Sequence, residues 1–408
     1  MPDKLSKVLN GDLCAGCGGC AAVAPNAVSM RMTKDGFLRP HFTRRLQHSE
    51  QRRIAQICPS VGQECEAGGR VNDPNWGPYV SASLGFSVDP VLRRRAASGG
   101  ALSGYLIALL KGGHVDGIIQ IKADPNDPMA NITTISTTTD DILEASGSRY
   151  APSSPLDSLN QLRGDGRRYA FVGKPCDVSA LATLRQIDPE VRSMVPVLVS
   201  FMCAGVPSLD AGASLLRLMG VEARDVTTFR HRADGWPGRA TARLQSGKTV
   251  SLSYSQSWGD VLSKAVQHRC KICADGSGVF ADIIFADAWE ADSDGYPDFE
   301  DRPGQSLILA RTALGQSLLL AAQGPGDLEV STYDLNDLEQ VQPGQVRRRR
   351  VLLARLAALW IMGRPIPHYR GMGLWAMSRS APATEVIRNF AGMIRRTVRF
   401  SIKGDKPC

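Results

Sequence analysis

Cysteines at iron–sulfur spacing are the first residues of this 408-residue chain that predict a chemistry. Cys14, Cys17 and Cys20 form a C-x2-C-x2-C motif with glycine and alanine between them. Three thiolates at this spacing can bind three irons of a [4Fe–4S] cluster, and the glycines let backbone N–H groups approach the sulfurs. Since Ala24 stands where such motifs carry a further cysteine, we predict that Cys58 supplies the fourth ligand. The alternative is a group of reduced thiols without metal.

Four further cysteines, Cys176, Cys203, Cys270 and Cys273, lie far apart in sequence but could form a second site. The first two each follow an apolar run typical of a buried strand, and ligand sites gather at the carboxyl ends of such strands. Four thiolates could bind a second [4Fe–4S] cluster or a zinc ion. The spacing of the first group, and the two single ligands from strand ends, favour iron. Cys65 is assigned to neither site.

A glycine turn provides a candidate anion site. Ser98, Gly99 and Gly100 precede a predicted apolar helix, Ala101–Leu110. The first turn of a helix offers free N–H groups and the positive end of the helix dipole, which suit a phosphate. Glycine removes the side chains that would keep the phosphate away. An ordinary helix cap is the alternative.

A second turn contains Ser148, Arg149 and Tyr150. The guanidinium of Arg149 could bind a phosphate or a carboxylate, and the ring of Tyr150 could stack on a planar group. An ordinary polar loop is the alternative for this segment.

The elements that must position these residues alternate between strands and helices, with one hairpin interposed, which predicts a mixed α/β domain. The predicted strands include Ser81–Val88, Val115–Lys122, Tyr169–Gly173, Val195–Met202 and Ser306–Thr312. Ala281–Ala286 is a further apolar run, which ends in Asp287-Ala288-Trp289. We expect three parts: a small ferredoxin-like module (1–70), a main domain (80–335) and a basic helical tail (345–408). We also expect a linker at residues 66–78 and a surface excursion at residues 123–140, where Asp, Asn, Pro and Thr are frequent.

Composition is that of a soluble globular protein, with 43% hydrophobic and 22% charged residues. The first ten residues are polar, without the apolar core of a signal peptide, and no apolar run reaches the ~18 residues of a membrane-spanning helix. We therefore expect a cytoplasmic protein, in which patterned cysteines stay reduced and available for metal.

The net charge of +8 comes from the tail, where residues 345–408 contain fourteen Lys and Arg against two acidic residues. Helices that mix arginine with apolar residues could lie on an anionic membrane surface or bind an acidic partner such as a ferredoxin. They could equally pack on the body with a solvated basic face. The aromatic residues are not interleaved for base stacking, so we expect no nucleic-acid binding.

Taken in order, the motifs resemble a known family. They are Ser98-Gly99-Gly100, Val115-Asp116-Gly117, Gly147-Ser148-Arg149-Tyr150, Gly173-Lys174-Pro175-Cys176, Cys203-Ala204-Gly205-Val206-Pro207-Ser208, Phe229-Arg230, Gly235-Trp236, Arg269-Cys270 with Cys273, and Asp287-Ala288-Trp289. As an ordered set over about residues 10–330, they resemble the coenzyme F420-reducing hydrogenase/dehydrogenase beta subunit family. That family includes 7-hydroxymethyl chlorophyll a reductase and the ferredoxin-type divinyl chlorophyllide reductase.

The resemblance implies an FAD-dependent iron–sulfur oxidoreductase with two [4Fe–4S] clusters. One cluster would be bound by Cys14, Cys17, Cys20 and Cys58, and the other by Cys176, Cys203, Cys270 and Cys273. FAD would lie in the main domain at Ser98, Gly99 and Gly100. Further cofactor-binding candidates are Ser148, Arg149, Tyr150 and Lys174. Candidates for the catalytic, substrate-facing side are Arg149, His231, Trp236 and Asp287.

Under this interpretation, electrons pass between a carrier, either ferredoxin or coenzyme F420, and a small organic substrate. An electron-relay subunit that hands electrons to a partner subunit is the second hypothesis. A binding protein whose fold is stabilised by a structural zinc ion is the third hypothesis.

Overall fold

The computed structural model describes residues 4–289, 300–323 and 327–402. Within these ranges its strands are β1 (Val28–Met32), β2 (Leu38–Phe42), β3 (Gly62–Glu64), β4 (Val71–Asp73), β5 (Gly77–Tyr79), β6 (Ser81–Ser87), β7 (Gly117–Ala123), β8 (Asn131–Ser136), β9 (Tyr169–Gly173), β10 (Val197–Phe201), β11 (Val226–Ala233), β12 (Arg239–Leu244), β13 (Thr249–Leu252), β14 (Ile283–Asp287), β15 (Ser306–Ala310), β16 (Leu328–Thr332) and β17 (His368–Arg370). Its α-helices are α1 (Lys4–Asn10), α2 (Gly19–Val23), α3 (His48–Ile57), α4 (Pro90–Arg95), α5 (Ala101–Lys111), α6 (Thr139–Ala145), α7 (Leu159–Leu162), α8 (Pro175–Ile187), α9 (Pro189–Met194), α10 (Leu209–Met219), α11 (His268–Lys271), α12 (Ala313–Gln323), α13 (Leu338–Val341), α14 (Pro343–Arg350), α15 (Leu352–Ile361), α16 (Leu374–Arg379) and α17 (Ala383–Ile402).

A mixed sheet of eight strands organises the main body, in the order β16-β6-β15-β14-β10-β9-β7-β8. Its four central strands β14, β10, β9 and β7 pair in parallel, and antiparallel strands extend the sheet on both sides. The predicted hairpin is confirmed as the β12–β13 pair of a separate antiparallel sheet with β11. These features confirm the mixed α/β class.

Alternation along the central strands buries side chains on both faces of the sheet. On β9, Ala170 packs into the core that contains α5, whereas Phe171 packs into the core that contains α8. On β14, Ile283 and Ile284 divide between the two cores in the same way. Strands buried on both faces have continuous apolar sequences, which is why these runs were predictable.

The surface excursion predicted for residues 123–140 is wrong, because residues 131–136 form β8 at the edge of the main sheet. β8 pairs with β7 through six residue pairs, from Ile118 and Ser136 to Ala123 and Asn131. Its side chains are half-buried up to Ser136, which is fully buried. An edge strand is paired on one side only and can carry polar residues. Its composition therefore does not predict a strand.

The N-terminal segment packs against the main body. Its own small core lies between α2, α3 and the β1–β2 hairpin and contains Val28 and Ile54. The segment expected to be a linker contains the β4–β5 hairpin, whose Trp76 is 1% exposed and belongs to the main core. The guanidinium of the buried Arg311 donates to the carbonyl of Trp76 at 2.7 Å. Residues 71–79 are therefore fixed to the body.

The C-terminal part is helical, as predicted, and also contacts the other two parts. β17 pairs in parallel with β3 from the N-terminal segment. In α14, Val346 belongs to the main core, and the buried Arg349 donates to the carbonyl of Ala274 at 2.8 Å. Among the described residues, the structure contains no helix that is both long and apolar enough to cross a membrane.

Candidate functional site

A cavity of about 280 Å³ opens at the carboxyl edge of the parallel strands. Lys174 follows β9, Cys203 follows β10 and Asp287 ends β14, and all three line this cavity. The carboxyl ends of parallel strands are where α/β sheets bind ligands. The sheet therefore places a cation, a thiol and a carboxylate around one space.

The glycine turn before α5 forms another wall of the cavity. Ser98 and Gly100 line the cavity and both adopt left-handed conformations, with φ of 56° and 70°. No side chain caps α5, so its first N–H groups and the positive end of its dipole lie at the cavity wall. Gly99 does not line the cavity, because it packs against the backbone of Gly304. A Cβ at this position would lie 2.3 Å from the Gly304 carbonyl oxygen.

A buried ion pair also lines the cavity. The guanidinium of Arg232 donates to both carboxylate oxygens of Asp287, at 2.6 and 2.7 Å. Trp236 donates its indole N–H to the same carboxylate at 3.0 Å. Burial raises the pKa of Asp287, but the charge of Arg232 and these hydrogen bonds outweigh burial and hold its pKa below the ordinary value. Asp287 is thus an ionised, fully engaged carboxylate.

Aromatic rings complete this wall. Trp236 stacks on Trp289 with centroids 4.9 Å apart and ring planes 3° from parallel, and Trp289 lines the cavity. The rings of Tyr150 and Trp258, which also line the cavity, lie 4.9 Å apart. Burial raises the pKa of Tyr150, so its phenol stays protonated. The wall thus offers flat apolar surfaces next to the Arg232–Asp287 pair.

Two of the predicted substrate-facing residues are occupied by contacts within the protein. Arg149 lines the cavity, but it donates to the carbonyls of Pro128, Ala130 and Phe229 and to the side chain of Asn131, at 2.7–2.8 Å. His231 is 2% exposed and does not line the cavity. Burial and then the charge of Arg149 lower the pKa of His231 well below its ordinary value. The structure thus brings Asp287 to the cavity and leaves His231 behind the wall.

Lys174 stands between the cavity and the second cysteine group. Its ammonium lies 2.7 Å from a carboxylate oxygen of Asp177 and donates to the hydroxyl of Ser153 at 2.7 Å. Burial lowers the pKa of Lys174, but the charges of Asp177 and of the Cys176 thiol raise it, and the net shift is upward. A buried lysine that stays charged gives this wall a fixed positive charge.

The second cysteine group converges on one region, although its members come from distant parts of the chain. Cys176 lies in the first turn of α8, Cys203 follows β10, and Cys270 and Cys273 lie in and just after α11. Burial, followed by the charges of Cys270 and Cys273, raises the pKa of Cys203 to about 12. The backbone N–H of Val206 donates to the sulfur of Cys270 at 3.3 Å.

Arg269 holds this region together. It is 3% exposed and donates to the carbonyl of Pro59 at 2.9 Å, next to Cys58 of the first group. Burial lowers its pKa, but the charges of Tyr369 and of the thiols Cys273, Cys176 and Cys270 raise it, and the net shift is upward. Three of the four thiols therefore lie close to one buried cation.

The first cysteine group also gathers its four members. Cys14 and Cys17 lie in the loop before α2, Cys20 lies within α2, and Cys58 caps the end of α3. Burial raises the pKa of Cys14 to about 11, with a contribution from Cys58, and Cys58 also raises the pKa values of Cys17 and Cys20. The N–H of Gly16 donates to the sulfur of Cys14 at 3.4 Å.

The two groups approach each other at Cys17 and Cys176. Burial is the largest cause of the raised pKa of Cys176, followed by the charge of Asp177, while Lys174 lowers this pKa. Cys203 and then Cys17 raise it further. The carbonyl of Cys17 accepts a hydrogen bond from the N–H of Leu156 at 3.2 Å, beside Pro155 of the cavity wall.

Within the described residues, no three His, Cys, Asp or Glu side chains are arranged to hold a single metal ion. A structural zinc site would need four ligands around one ion. In a [4Fe–4S] cluster each thiolate binds a different iron, so the sulfurs surround a larger object. Two sets of four half-buried thiols, with an N–H group directed at one sulfur in each set, fit clusters by the chemistry of their donors. Both clusters remain predictions.

Sequence reasoning missed several residues at the cavity, of which Arg232 and Trp258 matter most. The signal for Arg232 is the alternation expected along β11, where Phe229 and His231 contact each other with ring centroids 4.9 Å apart. In an alternating strand, residues 230 and 232 belong to the other face. No local pattern indicates Trp258, which lies in an irregular helical turn beyond the hairpin.

Comparisons with known proteins agree with this architecture. Two family models of the coenzyme F420 hydrogenase/dehydrogenase beta subunit match the chain. The model of the N-terminal part matches residues 82–160, and the model of the C-terminal part matches residues 166–335. Together they span more than half of the chain. The cavity residues from Ser98 to Asp287 and three of the cysteine-bearing segments lie inside these matches.

The individual relatives have low sequence identity to this chain but match most of its length. The F subunit of the F(420)H(2) dehydrogenase from Methanosarcina mazei is 22% identical over 320 residues, which cover 78% of this chain and 84% of the relative. The beta subunit of the coenzyme F420 hydrogenase from Methanococcus voltae is 24% identical over 314 residues, 72% of this chain and 99% of the relative. The coenzyme F420-dependent sulfite reductase of Methanocaldococcus jannaschii is 22% identical over 336 residues, 78% of this chain but 47% of that protein.

A solved structure of the F420-reducing [NiFe] hydrogenase complex from Methanosarcina barkeri contains a chain with the same fold. The TM-score is 0.51 at 23% identity, and the match covers 69% of this chain and 95% of that chain. The relatives are oxidoreductases or their subunits by name. The protein is a member of the coenzyme F420 hydrogenase/dehydrogenase beta subunit family.

Proposed function

We propose that the protein is an iron–sulfur flavoprotein oxidoreductase. It passes electrons between a carrier, coenzyme F420 or ferredoxin, and an organic substrate, using FAD and two [4Fe–4S] clusters. One observation carries the proposal: Cys203 belongs to a converging group of four thiols and also lines the cavity at the sheet edge. A redox centre on these thiols would therefore adjoin any ligand in the cavity.

FAD would be held by the residues that line the cavity. The turn of Ser98 and Gly100, with the N-terminus of α5, would bind the pyrophosphate, and Tyr150 and Trp258 would cover a flat ring. When bound, FAD and the clusters would supply the exchange between one-electron and two-electron carriers.

The protein's own side chains would orient the ligand and keep the charge pattern of the site constant. Lys174 places a positive charge on the cavity wall and is itself held by Asp177 and Ser153. Arg232 and Asp287 are bound to each other, so neither is free to exchange a proton at neutral pH. Their pair, backed by Trp236, fixes the wall that faces the ligand.

A second candidate function is an electron-relay subunit that acts only within a larger complex. The names of the relatives favour it, because two of them are called subunits of F420H2 dehydrogenase or coenzyme F420 hydrogenase. Turnover of an organic acceptor by the isolated chain would assign the first function. Reduction by coenzyme F420 without any such turnover, restored by a co-purified partner, would assign the second.

The decisive experiment is anaerobic purification followed by iron, sulfide and flavin analysis. We expect about eight irons per chain, as two four-iron clusters require. Cys203→Ser should lose about half of the iron. Cys65→Ser is the matched control, because Cys65 is a buried free cysteine outside both groups, and it should keep all of the iron. A colourless protein that contains zinc would contradict the proposal.

The cavity is tested separately. Ser148→Trp would fill space at the cavity wall, so the flavin-to-protein ratio should fall while the iron content stays constant. Ser193→Trp, on the exposed surface of α9, is the control and should keep its flavin. Equal flavin in both variants would place FAD elsewhere.

The carrier is tested by anaerobic titration. Reduced coenzyme F420 and reduced ferredoxin are added in turn, and bleaching of the flavin and iron–sulfur absorbance is followed. Reduction by one carrier at stoichiometric amounts identifies it. Reduction by neither carrier would contradict the proposal that one of them donates electrons to the protein.

A further inference from the structure

An exposed apolar surface in the C-terminal part has no role in the proposed redox function. Of the fifteen large hydrophobic residues that are exposed in the described ranges, seven lie between residues 360 and 398. They are Trp360, Ile361, Met362, Ile366, Trp375, Ile387 and Val398. We refer to these seven residues as the apolar face. Four of the seven, Trp360, Ile366, Trp375 and Ile387, line one groove. Exposed apolar residues gathered in this way mark an interaction site.

A shallow groove of about 650 Å³ runs through the apolar face. It lies between α15, α16 and α17, and all ten residues that line it are apolar. Trp360 and Trp375 border the groove with 71% and 77% of their surface exposed. Leaving two tryptophan side chains this exposed to water is unfavourable in free energy unless a partner surface covers them.

The helix α17 carries exposed apolar residues beside its packed ones. Phe390, Met393 and Ile394 pack into the core that α15 shares. Ile387 and Val398 lie on the same helix and are 67% and 40% exposed. A helix that only packs on the protein body would carry polar residues at these positions.

The exposed charges on α16 and α17 are mostly positive. Arginines are exposed at positions 379, 388, 395 and 396. Arg370 on β17 is also exposed, but it is paired with Glu64 at 3.2 Å. Glu385 is the single acidic residue between positions 347 and 398, and it is neutralised by Arg347 at 3.0 Å and Arg388 at 3.4 Å. The surface therefore matches an anionic partner.

We propose that the apolar face docks the protein on an anionic lipid surface, with the tryptophans at the headgroup level and the arginines on the lipid phosphates. Tryptophan is enriched at membrane interfaces, and basic residues near an anionic leaflet add affinity. The groove offers no polar side chain, whereas a protein interface carries about one hydrogen bond per 100–200 Å². A lipid surface needs no such partner.

This surface is also separate from the family's common part. It lies outside residues 82–160 and 166–335, which the family models match. The inference is therefore independent of the redox proposal and can fail without it.

The test is co-sedimentation of the full anaerobically purified chain with lipid vesicles. We expect binding to phosphatidylcholine vesicles that contain about 30 mol% phosphatidylglycerol, and binding at least about tenfold weaker to phosphatidylcholine alone. Trp360→Ser with Trp375→Ser should abolish binding. Arg395→Gln and Arg396→Gln should each weaken it about five-fold.

Leu320→Ser is the matched control, because this side chain on α12 is 57% exposed but lies far from the tail in sequence. It should bind vesicles as the unmodified protein does. All of the substituted positions are exposed, so an unchanged Tm in thermal unfolding would verify the fold. Failure to bind anionic vesicles would overturn the proposal, as would tight binding by the double tryptophan variant. A dimer that the tryptophan variant disperses, without vesicle binding, would assign the face to a second copy instead.

Discussion

Substituting Asp287 by Asn tests the ion pair that forms one wall of the cavity. Asparagine keeps an oxygen that can accept the indole N–H of Trp236, which lies 3.0 Å from the carboxylate. It removes the charge that Arg232 contacts at 2.6 and 2.7 Å. The variant therefore isolates the charge from the shape of the side chain.

The expected loss follows from burial. The side chain of Arg232 is 3% exposed and that of Asp287 is 20% exposed. Removing one partner of a fully buried pair costs about 3–5 kcal/mol, and partial solvation of the carboxylate lowers this to about 2–3 kcal/mol. With about 2.1 cal/mol/K of unfolding entropy per residue over 408 residues, that corresponds to a fall in Tm of about 2–4 °C.

The assay is thermal unfolding, followed by tryptophan fluorescence, of the unmodified protein, Asp287→Asn, Arg232→Met and the double variant. The double variant should lose less than the sum of the single losses, because each single substitution leaves its partner unpaired. Asp260→Asn is the control, since the Asp260–Lys264 pair is 3.7 Å apart and both side chains are about 70% exposed. Its Tm should not change measurably.

The same pair predicts a pH dependence. Because the pKa of Asp287 is lower in the folded state than the ordinary value near 3.9, the carboxylate stabilises the fold above that pH. The difference in Tm between the unmodified protein and Asp287→Asn should be complete at neutral pH and shrink below about pH 4. A purely additive double variant, or a constant Tm difference down to strong acid, would refute the reasoning.

Three further substitutions are predicted from single contacts. Gly99→Ala should destabilise the fold by about 2 kcal/mol or more, because the new Cβ would lie 2.3 Å from the Gly304 carbonyl at a positive φ; thermal unfolding and flavin content measure it. Arg149→Lys should cost about 2 kcal/mol by the same assay, since an ammonium cannot reach the three backbone carbonyls that the guanidinium contacts, and an unchanged Tm would contradict this. His231→Phe should keep activity and remove the loss of stability below about pH 6.5 that a buried neutral imidazole causes; a large fall in turnover would instead make His231 catalytic.

Much of the central sheet could be predicted from the sequence because its strands are buried on both faces. The run Tyr169–Gly173 was predicted with the bounds that the structure shows, since five consecutive residues without charge admit few alternatives. The location of Lys174 and Cys176 past the end of this strand followed from the same run. The edge strand β8 was missed because one of its sides is unpaired and threonine and serine occupy it.

Tertiary contacts explain the remaining differences. Trp76 stands in a segment rich in glycine and proline that predicts a linker, yet it is buried because Arg311 and the main core enclose it. His231 and Arg232 are neighbours on β11, and only the packing of that strand decides which of them reaches the cavity. The approach of Cys17 to Cys176 joins segments more than 150 residues apart, which no local pattern indicates.

Electron paramagnetic resonance of the anaerobically purified, dithionite-reduced protein tests the central claim most directly. Two groups of four thiols that meet at Cys17 and Cys176 predict two reduced [4Fe–4S] signals broadened by their mutual magnetic interaction. Cys203→Ser should leave a single, unbroadened signal. A protein with no cluster signal, or with one signal that Cys203→Ser does not alter, would contradict the account.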